Sequence, residues 1–258
     1  MPSSEITSYW DERSVTYSNG VKDELADHRR AAWETVLDAI VPFDAARSAG
    51  DKRPRVVDLG CGPGFFSVIY ASAGWQVDAV DASGAMLQRA SHNLALHPHE
   101  GPVEFHCNDV SKLPFAHDTF DLAISRNVTW LMSDPVATYA EWLRVLAPGG
   151  KLAVFDANWY RYLVDPELDL LRKQDQMHEV PEKSDARATP EEELRCERIA
   201  ANLPLTSELR PAWDLEVLGD LGARHVAAYE DVWRHLWTPE ERRYYRTSPL
   251  FLIVAEKG

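Results

Sequence analysis

Only three of the 258 residues are cysteine, Cys61, Cys107 and Cys196. They cannot build a disulfide framework, and their spacing fits no zinc pattern. No stretch approaches the ~18 consecutive apolar residues that a membrane-spanning helix needs. The first twenty residues are polar and lack the apolar centre of a secretory signal. Positive charge is also short: 27 Lys+Arg stand against 41 Asp+Glu, a net charge of −14. The basic pairs Arg29-Arg30 and Arg242-Arg243 sit beside acids, so no basic stripe is available for a phosphate backbone. The histidines form no HExxH run. His97 and His99 share a loop without a carboxylate or Cys set, and read as solvated. These absences exclude a disulfide scaffold, a membrane-spanning protein and a general nucleic-acid binder. They predict a reducing, cytoplasmic setting with no membrane, nucleic-acid or metal partner.

What is present is ordinary globular composition, 45% hydrophobic and 26% charged. Residues 1–20 carry aromatics and charges but no apolar stripe long enough to stand alone. Leu25, Trp33, Val36, Leu37 and Ile40 recur at helical spacing, predicting a helix over 22–41 that Pro42 stops. Alternation then begins. Strands are predicted at Arg55–Leu59, Gln76–Val80, Val103–His106, Phe120–Ser125 and Lys151–Asp156. Helices are predicted at Phe65–Ala73, Ala85–Ala95 and Pro135–Leu146, the last capped by Ser133 or Asp134 and followed by a turn at Pro148-Gly149-Gly150. Strands separated by helices mean a parallel sheet covered on both faces. Residues 157–212 interrupt the pattern. They are charged and strand-free, with helices near Glu167–Met177 and Glu191–Ala201. A helix at Trp213–Leu221 and strands at Arg224–Tyr229 and Leu250–Ala255 close the chain. Between those strands, Thr238-Pro239-Glu240-Glu241 has the form of a capping box.

The segment richest in chemistry is Val56-Val57-Asp58-Leu59-Gly60-Cys61-Gly62-Pro63-Gly64, which joins the first strand to a helix. Glycines there permit a tight turn and close approach of a ligand to the backbone, with free N–H groups behind it. A phosphate-binding loop would end in Gly-Lys-Ser/Thr, which is absent. A dinucleotide turn needs G-x-G-x-x-G, and Phe65 occupies the place of its third glycine. The acid two residues before Gly60 suits a ligand carrying an ammonium group.

Asp58-Leu59-Gly60-Cys61-Gly62-Pro63-Gly64 resembles motif I of the class I S-adenosylmethionine-dependent methyltransferases. Further matches follow in order. Asp81 ends the second strand where that family places an acid on the ribose hydroxyls. Asn108-Asp109-Val110 resembles its adenine-contacting stretch. Leu113-Pro114-Phe115 with Asp118-Thr119-Phe120-Asp121 resembles its run into the fourth strand. Leu143-Arg144-Val145-Leu146-Ala147-Pro148-Gly149-Gly150 resembles its turn before the fifth. The matches cover roughly 55–156 and lie closest to the small-molecule branch that includes quinone C-methyltransferases.

The resemblance implies a Rossmann-like, doubly wound, seven-stranded and mostly parallel sheet with the last strand antiparallel and a helical cover. It implies one domain over 1–258: cover helices at 1–45, a cofactor-binding core at 55–156, a helical lid at 157–212, and a last helix and two strands at 213–258. It implies S-adenosylmethionine as cofactor, leaving as S-adenosylhomocysteine. The implied cofactor residues are Tyr17, Asp58, Gly60, Cys61, Gly62, Gly64, Asp81, Ala82, Met86, Asn108, Asp109, Val110 and Asn127. Asp58 would help hold the methionine ammonium, often through backbone groups or water. Met86 or Leu87 would cover the adenine, and the Cys61 thiol reads as a small buried group. Ligands in open parallel sheets sit outside the carboxyl ends of the strands. The aromatic loops after strands four and five therefore predict an acceptor pocket lined by Trp130, Trp159 and Tyr160, with Trp10 as a further wall. Asp156, Tyr160 and His178 are possible bases by position, and none is assigned as catalytic. The reading is an enzyme that moves a methyl group onto a small molecule. The alternatives are a cofactor-binding regulator or inactive subunit, or an RNA or protein methyltransferase.

Overall fold

A computed structural model describes residues 4–26, 28–44, 53–175 and 188–258. Two helices, α1 (Ser4–Ala26) and α2 (Arg29–Ile40), precede the first strand, β1 (Arg55–Leu59). Then follow α3 (Phe65–Ser72), β2 (Gln76–Asp81), α4 (Gly84–Ala95), β3 (Val103–Cys107), β4 (Phe120–Arg126), α5 (Pro135–Val145) and β5 (Leu146–Asp156). Helices α6 (Pro166–Asp175) and α7 (Pro190–Ala200) fill the interruption. The chain ends with α8 (Ala212–Asp220), β6 (Arg224–Tyr229), the short α9 (Trp233–Leu236) and α10 (Pro239–Tyr244), and β7 (Phe251–Glu256).

The seven strands form one sheet in the order β3-β2-β1-β4-β5-β7-β6. β1 to β5 pair in parallel, whereas β7 runs antiparallel to both β5 and β6. The strand order reverses between β1 and β4, so a crevice opens there beyond the carboxyl ends. Period-two alternation divides the core. Val56 packs with Trp33, Phe65, Phe66 and Phe155 on one face. Val57 and Leu59 pack with Tyr139, Trp142 and Leu218 on the other.

Two local expectations are corrected. The N-terminal region forms two helices instead of one at 22–41, and the first runs through residues expected not to stand alone. Its buried face mixes Ile6, Tyr9, Val21 and Leu25 with Arg13, Ser14, Ser18 and Glu24, so no apolar stripe marks it in the sequence. Tertiary partners satisfy those polar groups: Arg13 pairs with Glu192, Ser18 accepts from Asn93, and Glu24 accepts from Trp33 and Arg126. Second, β5 begins at Leu146, so Pro148-Gly149-Gly150 lies inside the strand. The register jumps there, with Phe120 opposite Leu146 and Leu122 opposite Lys151. Helix α6 is described over Pro166–Asp175; Met177 and His178 lie outside the described residues. Of the two candidate caps, Asp134 accepts from the Ala137 N–H. Thr238 and Glu241 complete the capping box of α10.

Candidate active site

The glycine turn leaves β1 in left-handed geometry, with φ of +68° at Gly60 and +51° at Gly62. A Cβ on Gly60 would lie 2.5 Å from Val128 Cγ2, so a side chain there would press into the loop after β4. The Gly60 and Cys61 N–H groups donate to the Val80 carbonyl, which ties the turn to β2. Asp81, at the end of β2, continues that tie. Its Oδ2 accepts from Gly62 N–H at 2.8 Å and its Oδ1 from Ser83 N–H at 2.8 Å. Burial raises its pKa to about 6, opposed by those two backbone bonds and helped by Asp11.

A cavity of about 230 Å³ opens over this turn. Gly60, Gly62, Asp81, Ala82, Met86, Asp109, Val110 and Asn127 line it from the core, and Tyr17 reaches it from α1. Asp58, Cys61, Gly64 and Asn108 do not line it. Asp58 alternates onto the Val56 side of β1, where its Oδ2 accepts from the Ser67 N–H at 2.9 Å and hydroxyl at 2.6 Å. It therefore ties the first turn of α3 to β1 instead of facing a ligand. Burial pushes its pKa up to about 7, against the Ser67 bonds and with Asp81 adding. Cys61 is buried, and burial with Asp58 and Asp81 pushes its thiol well up, which leaves it inert. Gly64 turns into α3 with φ of +85°, and the Asn108 N–H donates to the Asp81 carbonyl.

A second cavity, also about 230 Å³, adjoins the first. Trp10, Tyr17, Arg126 and Asn127 line both. All four expected acceptor residues, Trp10, Trp130, Trp159 and Tyr160, line the second. Its walls are rings in sequence. On α1, Tyr9, Trp10 and Tyr17 meet edge to face with centroids 5.2 and 5.4 Å apart. Trp130 lies 4.7 Å from Tyr160, and Trp159 lies 5.6 Å from Tyr245. The Tyr160 hydroxyl donates to Cys196 Sγ at 3.0 Å, and its pKa is pushed well up by burial. Asp156 lines neither cavity and is fully buried. Neither it nor Tyr160 offers a free base to the acceptor space.

Sequence reasoning missed several lining residues. Arg126 stacks over Trp33 and Phe65 and pairs with Glu24. Ser83 caps α4 at the cavity wall. Tyr245 and Trp237 come from the C-terminal helices, and Glu193, Cys196 and Glu197 from α7. A capping box marked α10 in the sequence, but nothing there says which way these helices fold over the sheet. The sheet also makes a cluster that linear spacing hides. Asp78, Glu104 and His106 bring ligand-type atoms within 4.8 Å of one another. Asp78 there already accepts from Arg55 and His106, each at 2.9 Å.

Sheet order and glycine turn define a doubly wound α/β fold with a cavity at its switch point. Residues 57–154 match the family model of a methyltransferase domain. A malonyl-[acyl-carrier protein] O-methyltransferase of Erwinia billingiae is 38% identical over 108 residues, covering 42% of this chain and 39% of that protein. A demethylmenaquinone methyltransferase of Renibacterium salmoninarum is 39% identical over 104 residues, covering 39% of this chain and 40% of that one. The chain thus spans about two fifths of the length of these curated relatives. Among solved structures, the magnesium protoporphyrin IX methyltransferase of Synechocystis with bound S-adenosylhomocysteine superposes with a TM-score of 0.59 at 17% identity. That match covers 98% of each chain and is a likeness of fold. Over residues 57–154 the chain is thus similar to S-adenosylmethionine-dependent methyltransferases.

The residues present fit that cofactor. Two buried polar atoms that line both cavities, Trp10 Nε1 and Asn127 Oδ1, lack a partner among the described residues. A donor and an acceptor held out of water cost free energy unless a ligand meets them. Asp81 keeps lone pairs on both oxygens beyond its two backbone bonds, as a vicinal diol requires.

Proposed function

We propose that this protein transfers a methyl group from S-adenosylmethionine to a small-molecule acceptor held in the ring-lined cavity. The observation that carries this reading is the pair of adjoining cavities, which share Trp10, Tyr17, Arg126 and Asn127 at their junction. One cavity is built over the glycine turn and Asp81. The other is walled by aromatic rings from α1, from the loops after β4 and β5, and from the C-terminal helices.

The cofactor supplies an electrophilic methyl on sulfonium. This chain's residues then need chiefly to align the acceptor with it and keep water out. Alignment of that kind can supply roughly 7–11 kcal/mol of a barrier. Asp81 would take the ribose hydroxyls, Met86 the adenine face, and Val110 with Asp109 the adenine edge. The glycines would admit the amino-acid end close to the backbone. Trp10, Trp130, Trp159 and Tyr160 would hold the acceptor's apolar body. Ring faces near a sulfonium add about 0.5–2 kcal/mol each. The α1 helix and the 157–212 segment would act as the cover, and no residue is assigned as base. The net charge of −14 favours a small molecule over an RNA acceptor, and the few cysteines favour a cytoplasmic setting. No helix among the described residues is long and apolar enough to cross a membrane.

The test is transfer of a tritiated methyl group from S-adenosylmethionine to a cell extract. Label in the small-molecule fraction is the expected result. Label in protein or RNA would replace the acceptor class, and S-adenosylhomocysteine binding without transfer would leave a cofactor-binding regulator.

A further inference from the structure

We infer that Arg210 is the positioning residue of the acceptor cavity, setting its Trp130 and Trp159 walls through Asp156 and Thr129. The inference rests on the acceptor reading given above.

Asp156 ends β5 and accepts five hydrogen bonds. Its Oδ1 takes the Ala157 N–H at 2.8 Å and Trp159 Nε1–H at 2.9 Å. Its Oδ2 takes the Trp130 N–H at 3.2 Å, the Thr129 hydroxyl, and Arg210 Nη1 at 3.0 Å. A single carboxylate thus grips the loop after β4 and the loop after β5, and each of its oxygens holds one wall tryptophan. The grip carries to the cavity junction: Trp130 Nε1–H donates to the Asn127 carbonyl at 3.0 Å.

Such a carboxylate, fully buried, needs a cation. Arg210 supplies it, with its side chain only 1% exposed. The guanidinium is shared three ways. Nη1 goes to Asp156, Nη2 to the Thr129 hydroxyl at 2.7 Å, and Nε with Nη2 to Asp214 at 2.8–3.1 Å. The Tyr139 hydroxyl closes the network on Asp214 at 2.5 Å. The Arg210 backbone grips the same loop again. Its carbonyl accepts from Asn158 Nδ2 at 2.8 Å and its N–H donates to Asn158 Oδ1 at 3.4 Å. Arg210 lines neither cavity, so its effect on an acceptor passes through the tryptophans. Only a planar fork reaches all three partners at once; a lysine ammonium has one centre of charge to place. Arg210 lies just before α8, so it ties the far end of the 157–212 segment to the two loops that carry the pocket.

The test uses the full chain with Arg210→Lys and, separately, Thr129→Val. Three quantities are read: calorimetric affinity for S-adenosylhomocysteine, half-saturation by the extract fraction that takes up labelled methyl, and the indole ¹H–¹⁵N resonance of Trp159, assigned by its loss in Trp159→Phe. In Arg210→Lys the Trp159 resonance is expected to move. The acceptor half-saturation should rise about tenfold or more while the saturated rate changes less and cofactor affinity stays within about twofold. An unmoved indole resonance in the folded variant overturns the inference, and so does cofactor affinity falling in step with acceptor use. If Arg210→Lys does not fold, Thr129→Val decides on the same readouts. If no extract fraction takes up methyl with the wild-type chain, the functional reading fails, and the indole resonance still decides whether Arg210 sets the ring.

Discussion

Asp11 on α1 accepts a hydrogen bond of 2.5 Å from the Ser83 hydroxyl, and Ser83 in turn donates its backbone N–H to Asp81. The N-terminal helix is thereby fastened to the wall of the cofactor cavity two residues from its principal acid. The Ala85 N–H also points to Asp11 Oδ1 at 3.4 Å, so the carboxylate sits over the amino end of α4, where a negative charge is favoured. Hydrogen bonds to charged groups are worth about 1.5–3 kcal/mol, part of which is consumed in ordering α1. Asp11→Ala is therefore expected to weaken S-adenosylhomocysteine binding roughly five- to twentyfold without unfolding the sheet. Calorimetry beside a melting curve checks this, and unchanged affinity would mean that α1 does not close through Ser83.

Cofactor affinity should depend on pH through Asp81. Burial holds its pKa at about 6 in the free protein. Hydroxyls donating to it favour the carboxylate, so binding releases a proton wherever the free form is protonated. Affinity is expected to be flat above about pH 7 and to fall toward about tenfold per pH unit below about pH 6. Asp81→Asn should remove that slope and weaken binding by about tenfold or more at about pH 8. Titrations at several pH values give both results, and an equal slope in the variant would assign the proton to another group.

The Asp58–Ser67 contact predicts the pH dependence of stability. The carboxyl pKa rises from 3.8 to about 7 on folding, chiefly by burial. Between those values the folded state holds more protons than the unfolded one. The contribution of this group is thus fully present below about pH 4 and lost as pH rises through about 7. Asp58→Asn keeps an oxygen for Ser67 but carries no charge. Its stability relative to wild type should therefore climb between about pH 4 and pH 7. Urea unfolding of the two proteins without cofactor measures it, and parallel curves would show that burial does not hold this carboxyl neutral.

The positions of the sheet strands and the glycine turn were legible because buried parallel strands are short apolar runs such as Val56-Val57 and Leu122-Ala123-Ile124. Turn chemistry brackets them locally. The α1 helix was not legible as a helix. Its buried face includes Arg13, Ser18 and Glu24, whose partners Glu192, Asn93 and Arg126 lie far along the chain. The side-chain direction of Asp58 was not legible from its place before the glycines: strand alternation turns it under α3 toward Ser67. The roles of Asp11 and Arg210 rest on pairings across 72 and 54 residues that no local pattern encodes. The aromatic loops were legible because topology alone places the ends of β4 and β5 at the crevice.

The α1 and α7 helices should respond to ligand together. Arg13 on α1 pairs with Glu192 at the start of α7 at 3.2 Å, and Glu12 pairs with Arg195 at 2.7 Å. These ties run between two elements that both line the ring-walled cavity, whereas the sheet beneath is packed on both faces. The two helices also share the apolar cluster of Ile6, Tyr9, Cys196 and Ile199, but peripheral helices open at lower free-energy cost than core strands do. Cofactor fastening α1 through Tyr17 and the Asp11–Ser83 bond should thus slow hydrogen exchange in 4–26 and in 190–200. Exchange in 55–59 and 151–156 should stay slow throughout. The Glu12–Arg195 pair is exposed and worth about 0–1 kcal/mol, so Arg195→Ala should loosen the coupling only slightly. Glu192→Ala removes the cross-helix ion pair of an arginine that is only 4% exposed, where Arg195→Ala removes one that is more open to solvent, and should loosen the coupling more. In Glu192→Ala, S-adenosylhomocysteine should still slow α1 while α7 exchanges nearly as in the free protein. Mass-spectrometric exchange on peptides from both helices reads this directly. Equal protection of α7 in Glu192→Ala and wild type would mean that α7 closes independently of the N-terminal helix.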